Sequence, residues 1–399
     1  MGGNVHVVGT GLITSIGNSV AESLAALKRQ NRGIGTSSIF GSIHKDLPVG
    51  EVKLTNESLA SNLNVNQNLP RTCLLGIHAA REALRNSGIS EVKRWRTGLI
   101  SATTVGGMDK TEIFFQEFLK NESRGKLRNV LHHTCGSTTE VIARDLDINR
   151  FVTTINTACS SSVNSIMFGA RLIKAGILDV VVAGGADALT KFTLNGFNSL
   201  MILDKQPCRP FDANRSGLNL GEGAGFVVLA SEKVIQQEKL NSSCIISGFG
   251  NTNDAYHQTA SSPEGRGSFE AMTEALKMSG LSPESVDYIN LHGTGTISND
   301  VSEGTAVKRL FGENYPKLSS TKSFTGHTLG ASGGIETVIS ALAISEQCIF
   351  PNLGFETPMP ELNIIPQIKF EANVKVNHVM SNSFGFGGNC SSILISKTT

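Results

Sequence analysis

The sequence predicts a layered α/β protein built from two halves of similar topology, and three observations carry that reading. Short apolar runs alternate with helical patterns throughout the 399 residues, the arrangement of strands covered by helices. The run Asp179–Gly184 (DVVVAG) is apolar after its aspartate, as in a strand buried on both faces. Stretches of the first half also recur in the second. VHVVGTG (5–11) resembles CIISGFG (244–250), and GAGFVVLAS (223–231) resembles GGNCSSILIS (387–396). FVTTINTACSSSVNSIMFGARLIKAG (151–176) has a counterpart in LSSTKSFTGHTLGASGGIETVISALAIS (318–345). The halves are expected at 1–240 and 241–399, meeting near the polar stretch 232–243 and sharing one core.

Taken in order, a strand runs into glycines at 5–11, and a second spans Val152–Ile155. Val163, Ile166, Met167, Ala170 and Ile173 then recur at helical spacing, which predicts a helix from near Cys159 to near Gly176. Cys159 therefore stands where a strand turns into a helix. Unpaired backbone N–H groups and the macrodipole there favour negative charge and a lowered thiol pKa. As an isolated feature, Cys159 reads as a small buried apolar residue sooner than as a nucleophile, with Ser160–Ser162 capping the helix.

Composition narrows the function classes. Lys plus Arg number 35 and Asp plus Glu 34, so the net charge of +1 offers no bulk field for nucleic acid or an acidic membrane. An acidic partner would need a local basic patch. The seven cysteines are odd in number and scattered without a CxxC pair, which speaks against a disulfide framework or zinc ribbon and for a reducing compartment. The start MGGNVHVVGTG lacks the charge and apolar core of a signal peptide, and no apolar run reaches the roughly 18 residues of a membrane span. A cytoplasmic protein is expected.

Three further stretches carry candidate chemistry. LHGTGTISNDVSE (291–303) places His292 before glycines, threonines, Asp300 and Glu303; its bland reading is a strand end before an Asn/Asp-capped helix. STKSFTGHTLGASGGIE (320–336) holds Lys322, His327 and Glu336, and its glycines do not follow the phosphate-loop order. SNSFGFGGNCSS (381–392) is a glycine loop whose two phenylalanines read as exposed.

Each is ambiguous alone, but their order is not. Cysteine, HGTGT with ND and E, K with GHT and E, NSFGFGG, and RPFDANRSGLNLGEGAG (209–225) together resemble the β-ketoacyl-acyl carrier protein synthases, from about residue 4 to residue 397. The resemblance implies a thiolase-like fold of duplicated βαβαβαββ halves in a five-layered αβαβα sandwich. It implies a homodimer, or a heterodimer with a chain-length partner. The reaction it implies joins an acyl thioester to malonyl-acyl carrier protein with loss of carbon dioxide, without metal or organic cofactor.

Carried over residue by residue, Cys159 would take the acyl group, with its own N–H and that of Phe386 as oxyanion hole. His292 and His327 would hold the malonyl thioester oxygen, and Lys322 would sit between them and Glu336. Thr294 and Thr296 would bind the pantetheine arm. Val105 and Phe197 would line the acyl pocket, with Phe386 as gate and Phe384 beside it. Asp300 and Glu303 would be structural. Three departures concern pathway rather than reaction: SSS after the nucleophile, Val105 in the acyl pocket, and a docking stretch at 62–72 with only Arg71 basic. Carrier docking would fall instead to Arg124, Lys126 and Arg128, with Lys205 added. Two rivals are a thiolase-type acyltransferase and a non-catalytic chain-length partner. The first would place a second catalytic cysteine in the last glycine loop, where this chain has Phe386, and two histidines fit the decarboxylating site better; the second would lack the nucleophile.

Overall fold

The computed structural model describes residues 3–398. Five strands come from the first part of the chain: β1 (Val5–Thr14), β2 (Thr97–Ala102), β3 (Phe151–Ile155), β4 (Val180–Asp187) and β5 (Gly223–Ser231). Five more follow: β6 (Cys244–Asn253), β7 (Tyr288–Asn290), β8 (Lys317–Ser319), β9 (His378–Phe384) and β10 (Asn389–Lys397). They form one ladder in the order β8-β7-β9-β10-β6-β1-β5-β4-β2-β3. Each set of five repeats the other, because the three outer strands pair parallel and the inner ones antiparallel in both. Among the described residues, strand pairing joins the sets where His6 pairs with Ile245 and Val7 with Cys244.

Helices complete five layers. α1 (Arg71–Asn86) covers β1, β5 and β4 on one outer face, while α3 (Arg266–Ser279) covers β6 and β10 on the other, with α4 (Ile297–Phe311) beside it. Between the two sets lie α2 (Ser161–Lys174) and α5 (Ser332–Glu346), each touching strands of both sets. The order is αβαβα, the thiolase-like sandwich. Burial follows from this placement: α5 is buried from Ser332 to Ile344, the pattern of a helix enclosed on every side. All eight residues of β4 are buried, as its apolar run requires.

The repeated glycines explain themselves here. A Cβ on Gly11 would lie 1.9 Å from the carbonyl oxygen of Ala79 in α1, and one on Gly250 would lie 2.1 Å from that of Ala271 in α3. VHVVGTG and CIISGFG resemble each other because each lets an outer helix rest directly on its strand.

β3 pairs with β2 alone and leaves its other edge open, with Val152 37% exposed. No helix among the described residues is long and apolar enough to cross a membrane.

Candidate active site

The turn between β3 and α2 holds Cys159. The helix starts at Ser161, two residues later than the periodicity predicts, because Ala158 adopts a left-handed φ of 53°. That conformation carries strain for a residue with a Cβ. Hydroxyls hold the turn in place: the N–H of Thr157 donates to Ser161 Oγ (2.8 Å), while Ser160 Oγ lies within hydrogen-bond reach of both Thr157 O (2.7 Å) and Asn389 Oδ1 (2.7 Å), which share its one hydrogen. The serines therefore brace the turn rather than merely cap the helix. Gly385 lets the last glycine loop close in, since a Cβ there would lie 2.7 Å from Thr157 O and 3.2 Å from Cys159 N.

Burial pushes the Cys159 thiol up to about 11, against the opposing charge of Lys322 and the Phe386 amide directed at the sulfur. The lowered pKa expected of a helix start is overturned. Desolvation of a residue 6% exposed outweighs the macrodipole.

Two histidines face the sulfur's side of the cavity. His327 Nε2 lies 3.1 Å from Cys159 Sγ, and the His292 and His327 rings stand edge to face with centroids 5.4 Å apart. Burial, reinforced by the nearby Lys322 charge, holds both imidazoles well below their ordinary pKa, so both are neutral. Lys322, 2% exposed, places Nζ 3.2 Å from His292 Nδ1 and in close contact with Glu336 Oε1. Burial raises Glu336 to about 7 despite that ammonium. An ammonium offers donors only, so Nδ1 of His292 accepts and its proton sits on Nε2.

Glu303 fixes the backbone of the His292 turn. Its carboxylate accepts the N–H groups of His292 and Gly293 (2.8 Å each) and Asn382 Nδ2 (3.1 Å). Asp300 likewise accepts the N–H groups of Phe211 (2.8 Å) and Gly295 (3.2 Å). Both carboxylates serve structure. Thr294 and Thr296, their hydroxyls 2.8 Å apart, line one cavity with Cys159, both histidines and Phe386.

Phe386 stacks on Phe197 with ring centroids 5.7 Å apart and planes 15° apart. Phe384 differs from its exposed reading: it is buried and packs at 5.7 Å on the His292 ring, because strand β9 directs it into the site. Val105 lies behind the cavity wall, in an apolar cluster with Leu189, Leu194 and Leu218 and against Phe197. Its turn is held by a residue that the sequence reading missed. Asp187, fully buried at the end of β4, accepts from Thr103 Oγ1, from the N–H and Oγ1 of Thr104, and from the N–H groups of Val105 and Gly330. Gly330 lies three residues beyond His327, so this carboxylate joins the Val105 turn to the histidine loop. Its only sequence signal is an acid closing an otherwise apolar strand.

Arg124, Lys126 and Arg128 are exposed, and no ion pair engages them among the described residues. Lys205 is exposed but paired with Asp46 at 2.9 Å. Arg71 is no surface cation: it is 8% exposed and pairs with Glu222 through Nε (2.8 Å) and Nη2 (2.6 Å).

Residues 3–234 match the family described as beta-ketoacyl synthase, N-terminal domain, and residues 243–356 match beta-ketoacyl synthase, C-terminal domain. The 3-oxoacyl-[acyl-carrier-protein] synthase 2 of Staphylococcus aureus (strain MRSA252) is 34% identical over 414 residues, covering 100% of this chain and 99% of the relative. Its namesake from Coxiella burnetii is 33% identical over 417 residues, covering 98% of each. Among solved structures, the ishigamide ketosynthase/chain length factor has a TM-score of 0.93 at 27% identity, covering 100% of both chains. A ketosynthase in complex with its chain length factor from Xenorhabdus doucetiae has a TM-score of 0.85 at 29% identity, covering 99% of this chain and 98% of the other.

Proposed function

The chain belongs to the beta-ketoacyl synthase family, and on that premise we propose that it condenses an acyl thioester with malonyl-acyl carrier protein. Carbon dioxide is lost and 3-oxoacyl-acyl carrier protein is formed. The observation that carries this is the meeting of one thiol with two neutral histidines, His327 Nε2 lying 3.1 Å from Cys159 Sγ. Cys159 accepts the acyl group as a thioester and releases the carrier thiol. His292 and His327 then donate N–H to the malonyl thioester oxygen, so the electron pair left by the departing carbon dioxide is held as an enolate. That carbon attacks the acyl carbonyl, whose developing oxyanion is held by the N–H groups of Cys159 and Phe386. That attack forms the new carbon–carbon bond, and collapse of the tetrahedral intermediate restores the carbonyl, breaks the carbon–sulfur bond and returns Cys159 as the thiolate, which takes up a proton. Lys322, balanced by Glu336, orients His292 rather than taking the proton.

Thr294 and Thr296 hold the pantetheine arm, and Phe386, stacked on Phe197, gates the acyl side backed by Val105. All seven cysteines are free, which supports a reducing, cytoplasmic setting. The open edge of β3 and the exposed Phe115, Leu119, Phe192 and Met201 support a dimer, with a second copy or with a chain-length partner like those named among the related structures. The non-catalytic reading is not favoured, because nucleophile and donors are all present.

Intact-mass measurement after incubation with an acyl-carrier protein tests the reading. One acyl group should be gained, and C159A should gain none; acylation of C159A would remove Cys159 from its role. Docking is tested by changing Arg124, Lys126 and Arg128 to glutamate. KM for carrier substrates should rise about tenfold at low salt and less at high salt, with a carrier-free pantetheine thioester unaffected. Equal loss on both substrates would move docking elsewhere.

A further inference from the structure

His292 has an ammonium to fix its proton, whereas His327 has only hydroxyls. His327 Nδ1 lies 2.9 Å from Ser332 Oγ, and Ser332 Oγ lies 3.1 Å from Thr328 Oγ1. His327, Thr328 and Ser332 are exposed by only 2%, 1% and 1%. Ser332 is the first residue of α5, so its Cα is fixed by a helix enclosed in the core. Thr328 stands one residue beyond His327 in the loop whose amide at Gly330 is held by Asp187.

A hydroxyl has one hydrogen to give, and that decides the direction of this chain. In one direction Thr328 donates to Ser332, and Ser332 donates to Nδ1 of His327. Every hydrogen then has an acceptor, and the imidazole proton sits on Nε2. In the other direction Nδ1–H donates to Ser332 and Ser332 donates to Thr328. The Thr328 hydrogen is then left without an acceptor, since among the described residues Ser332 Oγ is the sole hydrogen-bond partner of Thr328 Oγ1. An unmet buried donor costs far more than an unused hydroxyl lone pair.

We infer that Thr328 and Ser332 form a hydroxyl relay that holds the proton of His327 on Nε2, the atom facing Cys159 and the substrate. Ser332 and Thr328 are thus positioning residues, counterparts of Lys322 on the other histidine. The catalytic consequence rests on the reading of His327 given above; the tautomer does not. With both histidines protonated on Nε2, two N–H groups converge on one thioester oxygen without either imidazole taking a charge. Methyl groups in place of the two hydroxyls would leave Nδ1 free to hold the proton and Nε2 unable to donate.

Protein labelled with ¹⁵N-histidine reads the tautomer directly from long-range ¹H–¹⁵N spectra, with the His327 signals assigned by their loss in H327Q. The wild type should show a single Nε2–H form. S332A should show a mixture, S332T should restore the single form, and T328V should shift it partly. In a C159Q background, which separates decarboxylation from acylation, S332A should release carbon dioxide from malonyl-carrier about tenfold more slowly and T328V about threefold more slowly, with S332T close to the parent. Acylation of an intact Cys159 should fall less than carbon dioxide release does in S332A, since the N–H groups of Cys159 and Phe386 that hold its oxyanion are untouched. A wild-type Nδ1–H form, or an S332A protein that keeps a single Nε2–H form, would overturn the relay. Should S332A fail to fold, T328V decides by the same spectra. A wild type that shows the Nε2–H form yet releases no carbon dioxide would support the relay and refute the reaction assigned to the site.

Discussion

The turn after β3 and the turn after β8 hold equivalent places in the two halves, and each leads into a helix of the central layer. The first is short and built of small residues, with Ala158 strained and hydroxyls bracing Cys159. The second is longer and contains Lys322 and His327, wholly buried and secured by a carboxylate. One scaffold position therefore holds the thiol, and its duplicate holds the lysine and a histidine that shares the thiol's cavity. The comparison extends one strand inward. The turn after β2 is gripped by Asp187, and the turn after β7 by Glu303, each carboxylate catching backbone N–H groups. The two halves share one frame, and a buried carboxylate grips the inner turn of each.

The largest break in this comparison removes the acyl-carrying half. C159A should lose condensation by roughly a thousandfold or more, while C159Q should keep decarboxylation because the donors belong to the other half. Carbon dioxide release measured beside product formation checks it, and a glutamine variant inactive in both would mean the halves do not divide the work.

Next comes the ionic device of the second turn. K322A leaves Glu336 without its cation and should cost about 3–5 kcal/mol in urea unfolding. Decarboxylation should fall roughly a hundredfold as His292 loses the donor to Nδ1. K322A combined with E336Q should regain stability but not decarboxylation.

The two carboxylate grips come third. D187N and E303Q each turn an acceptor into a donor facing N–H groups, and each should cost about 1–3 kcal/mol. Rates across a series of acyl-chain lengths separate them: D187N should alter the preference, because its turn carries Val105, whereas E303Q should slow decarboxylation evenly across the series.

The smallest effect is a pH slope. Glu303 and Glu336 have folded-state pKa values raised from 4.5 to about 7 by burial. Their contribution to stability is therefore complete below 4.5 and is lost as pH rises through about 7. His292 and His327, held below 6.5, act oppositely and lose stability as pH falls. Urea midpoints of wild type and E336Q across this window should show a shallower decline for the variant on the alkaline side.

Much of this was legible in the chain because the signals were local. The strand-glycine repeats, the apolar run of β4 and the residues around Cys159, Lys322 and His327 each lie within short segments. What escaped depends on distant partners. Arg71 looked like a surface cation because Glu222, which buries it, lies 151 residues away. Asp187 is 83 residues from Thr104 and 143 from Gly330. The thiol of Cys159 was misjudged for a related reason: helix position is written in the sequence, whereas desolvation depends on everything packed around it.

The open edge of β3 has a thermodynamic consequence. That strand ends at Ile155, four residues before Cys159, and among the described residues pairs on one side only. A second chain adding to the free side would bear on the same backbone that sets the Cys159 turn. Association and acyl loading then become linked equilibria: whatever factor loading imposes on the association constant, association imposes on loading. Protein concentration would thus act as an effector of the enzyme, tuning how readily it is charged.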